Sequence, residues 1–102
     1  MFTHISIDDT HTLMQAQEIT IVDIRDPEAF KKGHIPGAIS LTNDNIQQFI
    51  QNTDKHVPLL VCCYHGNSSQ GAADFLNDKG FLKTFSIDGG YEAWKLKHAI
   101  EK

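Results

Sequence analysis

The sequence predicts an α/β fold, in which helices cover both faces of a small parallel sheet of four or five strands. Apolar runs of strand length at residues 19–24, 38–41, 57–61 and 84–87 alternate with segments whose apolar residues recur three and four apart. The intervening segments are long enough for βαβ crossovers, which join parallel strands and are almost always right-handed. The run at 19–24 is rich in β-branched residues and almost wholly apolar, which is typical of a strand buried on both faces.

The first half of the chain carries clear helix signals. A short edge strand is predicted at residues 3–5, followed by a helix that Ser6 caps and that ends near Gln17. The next helix has Asp26 as its N-cap, proline at its first position, and Gly33 as its stop.

The second half continues the alternation. Pro36-Gly37 favours a type II turn, and Thr42 or Asn43 is expected to cap a helix that ends before residue 55. A helix is predicted from about residue 69 to 79, and a final helix begins at Tyr91 after the turn Asp88-Gly89-Gly90.

Length and composition favour a single domain over residues 1–102. The chain has 40% hydrophobic and 22% charged residues and a formal net charge of −4 with mixed signs, so neither nucleic acid nor a membrane is an expected partner. The first residues lack the basic and long apolar regions of a signal peptide, and a cytoplasmic protein is predicted.

The two cysteines, Cys62 and Cys63, are adjacent. Neighbouring Cα atoms lie about 3.8 Å apart, whereas unstrained disulfides prefer about 4.4–6.8 Å, so we expect free thiols and a reducing environment. Because successive strand residues face opposite sides of a sheet, Cys62 is expected to face the core and Cys63 to begin a loop. No spacing of histidines and cysteines suits a metal site.

The loop after Cys63 joins a buried strand to a helix N-terminus, where backbone amides and the helix dipole stabilise a thiolate. We therefore predict that Cys63 is a catalytic nucleophile whose pKa lies below about 8.5. The residues predicted to bind substrate are Tyr64, His65, Gly66, Asn67 and Ser68. His65 is the only candidate cation among them, and an exposed histidine with no catalytic role is an equally good interpretation.

Other conspicuous side chains have structural interpretations. Ser68 and Ser69 are expected to cap the helix that follows the loop, and Ser68 also to close the loop around a ligand. Arg25 is expected to form an ion pair with Glu28. Asp23 is expected to stabilise the adjoining turns, and Tyr91 and Trp94 to face the core.

Residues 63–68 resemble the active loop of the rhodaneses, the thiosulfate sulfurtransferases. Residues 23–30 with 33–38 resemble the N-terminal signature of that family, and residues 88–94 resemble its C-terminal signature. With residues 41–44 included, the pattern is most similar to the bacterial single-domain rhodaneses of the GlpE type.

The resemblance implies a three-layer rhodanese-like domain and a ping-pong sulfur transfer without a cofactor. The Cys63 thiolate takes the sulfane sulfur of thiosulfate, sulfite leaves, and loop amides cradle the resulting persulfide. A second nucleophile then removes that sulfur: cyanide, another small thiophilic acceptor, or a dithiol such as thioredoxin.

Two other functions remain open from the residues alone. A cysteine phosphatase or arsenate reductase also uses a thiolate in an anion-binding loop, but those chemistries need a longer loop and a closing arginine. Ser68 and Ser69 occupy the corresponding positions here. The alternative from a different functional class is a sulfur carrier or binding module, which would receive its sulfur from a dedicated protein donor.

Overall fold

One sheet of five parallel strands forms the centre of the computed structural model, which describes residues 1–102. All four pairs of neighbouring strands are parallel, and the spatial order is β1-β5-β4-β2-β3. The strands are β1 (Thr3–Ile5), β2 (Thr20–Asp23), β3 (Ile39–Ser40), β4 (Leu59–Cys62) and β5 (Thr84–Ile87). The predicted fold class is confirmed, including the edge strand at the start of the chain.

Helices cover both faces of this sheet. They are α1 (Ile7–Ala16), α2 (Pro27–Lys32), α3 (Ile46–Asn52), α4 (Ser68–Asp78) and α5 (Gly90–Lys97). Leu60 and Cys62 pack on one face with Trp94 of α5, whereas Val61 packs on the other face with Leu76 of α4. The alternation of β4 therefore sends its side chains into two separate cores. No helix combines the length and the apolar character needed to cross a bilayer.

Local signals in the sequence determine several of these element boundaries. The Ser6 hydroxyl accepts a hydrogen bond from the Asp9 amide at 3.0 Å, and Asp26 Oδ1 accepts one from the Ala29 amide at 2.9 Å. Both predicted N-caps are therefore confirmed. Gly37 has a φ of +83°, as the predicted type II turn requires.

Two predicted element boundaries differ from the structure. Helix α3 begins at Ile46, because Asn45 Oδ1 accepts a hydrogen bond from the Thr42 amide at 2.8 Å and holds the preceding residues in a turn. Strand β4 begins at Leu59, since Pro58 has no N–H to donate to a ladder. Gly33 ends α2 as predicted, with an extended backbone, and a Cβ at this residue would lie 2.4 Å from the Tyr91 hydroxyl.

Candidate active site

Strand β4 separates the two thiols. Cys62, the last residue of the strand, is completely buried in the apolar cluster that contains Leu60 and Trp94. Burial raises the pKa of the Cys62 thiol, so this sulfur is unsuited to act as a nucleophile. Cys63 begins the loop to α4, and both cysteines are free thiols. The prediction that Cys62 faces the core is confirmed.

The Cys63 sulfur is surrounded by hydrogen-bond donors. The Gly66 amide lies 3.1 Å and the Ser69 amide 3.3 Å from Cys63 Sγ. The Ser69 hydroxyl oxygen lies 3.2 Å from the same sulfur. Donors that converge from a loop and a helix N-terminus form an anion-binding nest, and in this protein they converge on the Cys63 sulfur.

These donors change the acidity of the thiol. Burial alone raises the pKa of Cys63, because it disfavours the charged form. Hydrogen bonds to the sulfur lower the pKa, and they come from the Ser69 hydroxyl and from the backbone amides of Ser69, Gly66 and His65. Their combined effect is larger than that of burial, so the pKa of Cys63 lies below its ordinary value. The site therefore favours a nucleophilic thiolate.

Gly66 gives the loop its tight curvature. Its φ is +94°, and a Cβ on this residue would lie 2.9 Å from the Gly89 amide nitrogen. Its carbonyl accepts a hydrogen bond at 2.9 Å from the Gln70 side chain, which ties the loop to α4. Asn67, although chemically suited to a left-handed conformation, is right-handed, so Gly66 alone reverses the chain within the loop.

None of the remaining loop side chains forms a hydrogen bond to the sulfur. Tyr64 is partly exposed, and its hydroxyl donates to Asp26, which lowers the pKa of that carboxyl. His65 is exposed. The prediction that Ser68 and Ser69 cap α4 is wrong, because Asn67 occupies the N-cap position and both serines are helical residues, of which Ser68 is exposed. The serine whose hydroxyl reaches the sulfur is Ser69.

The N-terminus of α5 fixes the start of the loop. The Tyr91 amide donates to the Cys63 carbonyl at 2.8 Å, and the Glu92 amide donates to the Tyr64 carbonyl at 3.1 Å. This approach requires glycine at residue 90, where a Cβ would lie 2.4 Å from the Cys63 carbonyl oxygen. Gly90 thus permits a close backbone contact between the start of α5 and the loop that begins at Cys63.

We expect Gly90→Ala to displace the loop and to lower the free energy of unfolding by about 1–3 kcal/mol, because the new methyl group overlaps backbone atoms that cannot move independently. Urea unfolding and the rate of Cys63 alkylation measure the two effects. Gly71→Ala is the matched control, since a Cβ there meets no atom within 4 Å. Equal stability and alkylation in Gly90→Ala and wild type would contradict the prediction.

Arg25 and Asp23 form a buried ion pair behind the loop. Arg25 Nη2 lies 2.7 Å from Asp23 Oδ2 and donates at 2.7 Å to the Gly33 carbonyl. The guanidinium also lies over the Tyr91 ring, 4.0 Å from its centroid. The predicted pairing of Arg25 with Glu28 is wrong, whereas Asp23 does stabilise the adjoining turn by accepting from the Arg25 amide at 2.9 Å.

A cleft of about 430 Å³ reaches the loop at Tyr64. Its lining includes the basic side chains of Lys32, Lys95 and Lys102, although Glu92 forms an ion pair with Lys95 at 2.9 Å. Positive side chains therefore outnumber negative ones in the lining of this cleft, although the net charge of the chain is −4. A second cavity of about 380 Å³ lies between the loops after β2 and β3, and no residue from 63 to 69 lines it.

The sequence does not reveal that Ser69 contacts the Cys63 sulfur, or that Ser86 contacts Ser69. A serine after a loop is most simply a helix cap, and a serine within an apolar strand run carries no functional signal. Their contact depends on how α4 packs on β5, which no local pattern specifies.

The chain is similar to known proteins in both sequence and fold. The profile of the rhodanese-like domain family matches residues 6–97. The chain is 50% identical over 94 residues to the thiosulfate sulfurtransferase GlpE of Tolumonas auensis, covering 92% of this chain and 89% of that protein. It is 44% identical over 98 residues to the GlpE of Pseudoalteromonas translucida, covering 96% and 93% respectively. The solution structure of a rhodanese-like domain from Anabaena is similar, with a TM-score of 0.87 at 23% identity over 99% of this chain and 80% of that one.

Proposed function

The chain belongs to the rhodanese-like domain family, and from this membership we propose that it is a thiosulfate sulfurtransferase that works through a persulfide on Cys63. The observation that carries the proposal is the Cys63 sulfur itself, which has two amides at 3.1 Å and 3.3 Å and a hydroxyl oxygen at 3.2 Å. Such a nest stabilises an attacking thiolate, and it also suits the anionic outer sulfur of a persulfide.

In the first half-reaction the Cys63 thiolate attacks the sulfane sulfur of thiosulfate. A sulfur–sulfur bond forms to Cys63, the bond between the two sulfurs of thiosulfate breaks, and sulfite leaves with the electron pair. The loop Tyr64, His65, Gly66, Asn67 and Ser68 is the proposed substrate-binding segment, with backbone amides rather than side chains as its donors. Lys32 and Lys102 in the adjacent cleft provide local attraction for the dianionic donor.

In the second half-reaction a nucleophile attacks the outer sulfur of the persulfide. With cyanide, a carbon–sulfur bond forms, thiocyanate leaves, and the Cys63 thiolate is restored. With a dithiol such as thioredoxin, one thiolate takes the sulfur as its own persulfide. The second thiol of the acceptor then displaces it to form a disulfide and release hydrogen sulfide.

A phosphatase is the less favoured enzyme class for this site. A phosphate monoester has three charged or polar oxygens that need donors, and cysteine phosphatases use an arginine side chain for this purpose. Arg25, the only arginine of the chain, is instead occupied by Asp23 and the Gly33 carbonyl. We therefore assign the nest to a single sulfur atom rather than to a tetrahedral oxyanion.

The test combines turnover with mass spectrometry of the wild-type protein. We expect thiocyanate to form from thiosulfate and cyanide, with parallel lines in double-reciprocal plots, as a ping-pong mechanism requires. Thiosulfate alone should increase the mass of the Cys63 peptide by one sulfur atom. A persulfide without thiocyanate would favour a sulfur carrier loaded by a protein donor, and the absence of both products would refute the proposal.

A further inference from the structure

Three buried side chains form a line of hydrogen bonds that ends on the reactive sulfur. The Ser86 hydroxyl oxygen of β5 lies 2.7 Å from the Ser69 hydroxyl oxygen of α4. Ser69 Oγ in turn lies 3.2 Å from Cys63 Sγ. Ser69 and Ser86 are fully buried, and Cys63 is only 4% exposed, so water does not compete for these contacts.

The number of available protons determines which group donates in each of these two hydrogen bonds. A thiolate can only accept, so the Ser69 hydroxyl proton must point at Cys63 Sγ when the thiol is ionised. Ser69 Oγ then has no proton left for Ser86, and the 2.7 Å contact requires Ser86 to be the donor. When Cys63 is ionised, Ser86 therefore donates to Ser69 and Ser69 donates to the thiolate. The hydrogen bond from Ser86 polarises the Ser69 hydroxyl and so strengthens its hydrogen bond to the sulfur.

The fold gives Ser86 no other partner. Its neighbours Phe85 and Ile87 pack on the opposite face of the sheet, which places Ser86 on the α4 face. Burial of a hydroxyl is unfavourable unless a hydrogen bond compensates for it, and the Ser69 hydroxyl supplies that bond. Thr84, two residues earlier on the same face, has a buried hydroxyl with no partner, so it provides a direct comparison.

We propose that Ser86 is a positioning residue for the reaction of Cys63: it holds the Ser69 hydroxyl in the orientation that donates to the thiolate. Ser86 does not touch the sulfur and acts only through Ser69. The inference extends the proposed function, because it concerns the same nucleophile, but its test requires no sulfur transfer. Without Ser86, the Ser69 hydroxyl is free to adopt rotamers that no longer donate to sulfur.

The experiment measures the alkylation of Cys63 by iodoacetamide against pH, with peptide mapping to distinguish Cys63 from Cys62. We expect Ser86→Ala to raise the apparent pKa of Cys63 by about half a unit, equivalent to roughly a threefold loss of thiolate at pH values well below the pKa. Thr84→Val removes a buried hydroxyl from the same face and should leave the titration unchanged. Thermal unfolding of each variant verifies that the folded protein is being titrated.

A double-mutant cycle separates positioning from general disturbance of the core. Ser69→Ala should raise the pKa of Cys63 by itself, and adding Ser86→Ala should then have no further effect. The proposal is overturned if Ser86→Ala titrates like wild type, if Thr84→Val shifts the pKa equally, or if Ser86→Ala has its full effect without Ser69. Thiocyanate formation is scored separately, so its absence would refute the sulfurtransferase proposal and leave the alkylation result interpretable.

Discussion

Replacing Cys63 with serine is expected to lower thiosulfate-dependent thiocyanate formation by about 10³-fold or more, the scale on which loss of a covalent nucleophile acts. The substitution keeps the size and the burial of the side chain but removes the sulfur on which a persulfide forms. An alcohol also stays protonated where a thiol with a lowered pKa is ionised. Colorimetric detection of thiocyanate and the mass of the thiosulfate-treated protein check both consequences.

Cys62→Ala is the matched control for that substitution. Cys62 is the adjacent residue, but its sulfur lies in the core, and burial raises the pKa of its thiol. The folded variant should form the persulfide and turn over at a rate close to that of wild type. Retention of turnover in Cys63→Ser, or loss of persulfide in folded Cys62→Ala, would contradict the assignment of the nucleophile.

Arg25→Ala is expected to lower the free energy of unfolding by about 3–5 kcal/mol, the range for removing one member of a buried ion pair. The carboxylate of Asp23 is completely buried, and the variant leaves it without the bonds at 2.7 Å and 3.0 Å that Arg25 donates. The Gly33 carbonyl loses its donor as well. For a domain of this size the melting temperature should fall by more than about 10 °C.

An exposed ion pair in the same molecule provides the comparison. Lys95 lies 2.9 Å from Glu92, and both side chains are substantially exposed. Lys95→Ala should therefore change the stability by no more than about 0.5 kcal/mol. Denaturant unfolding of both variants checks the contrast. A stability of Arg25→Ala within about 1 kcal/mol of wild type would show that Asp23 finds other partners.

Much of the framework could be predicted because it depends on neighbouring residues. The caps at Ser6 and Asp26 each join a side chain to an amide three residues away, so both residues of the contact are visible in a short window. Strand alternation likewise predicts that the side chains of Cys62 and Cys63 lie on different sides of the sheet. Pro58 shows the limit of such patterns, because the apolar run extended the predicted strand to include a residue that has no N–H to donate to a neighbouring strand.

Sequence patterns thus predicted the parallel α/β architecture and the loop that begins with Cys63, the proposed nucleophile. The groups that surround the sulfur depend instead on tertiary packing. Ser69 and Ser86 lie 17 residues apart, and their hydroxyls meet because α4 packs on β5. The approach of α5 to the Cys63 carbonyl depends in the same way on two distant segments. Periodicity and capping preferences act within a few residues, whereas the direction of a hydroxyl proton toward a thiolate depends on how separate elements pack together.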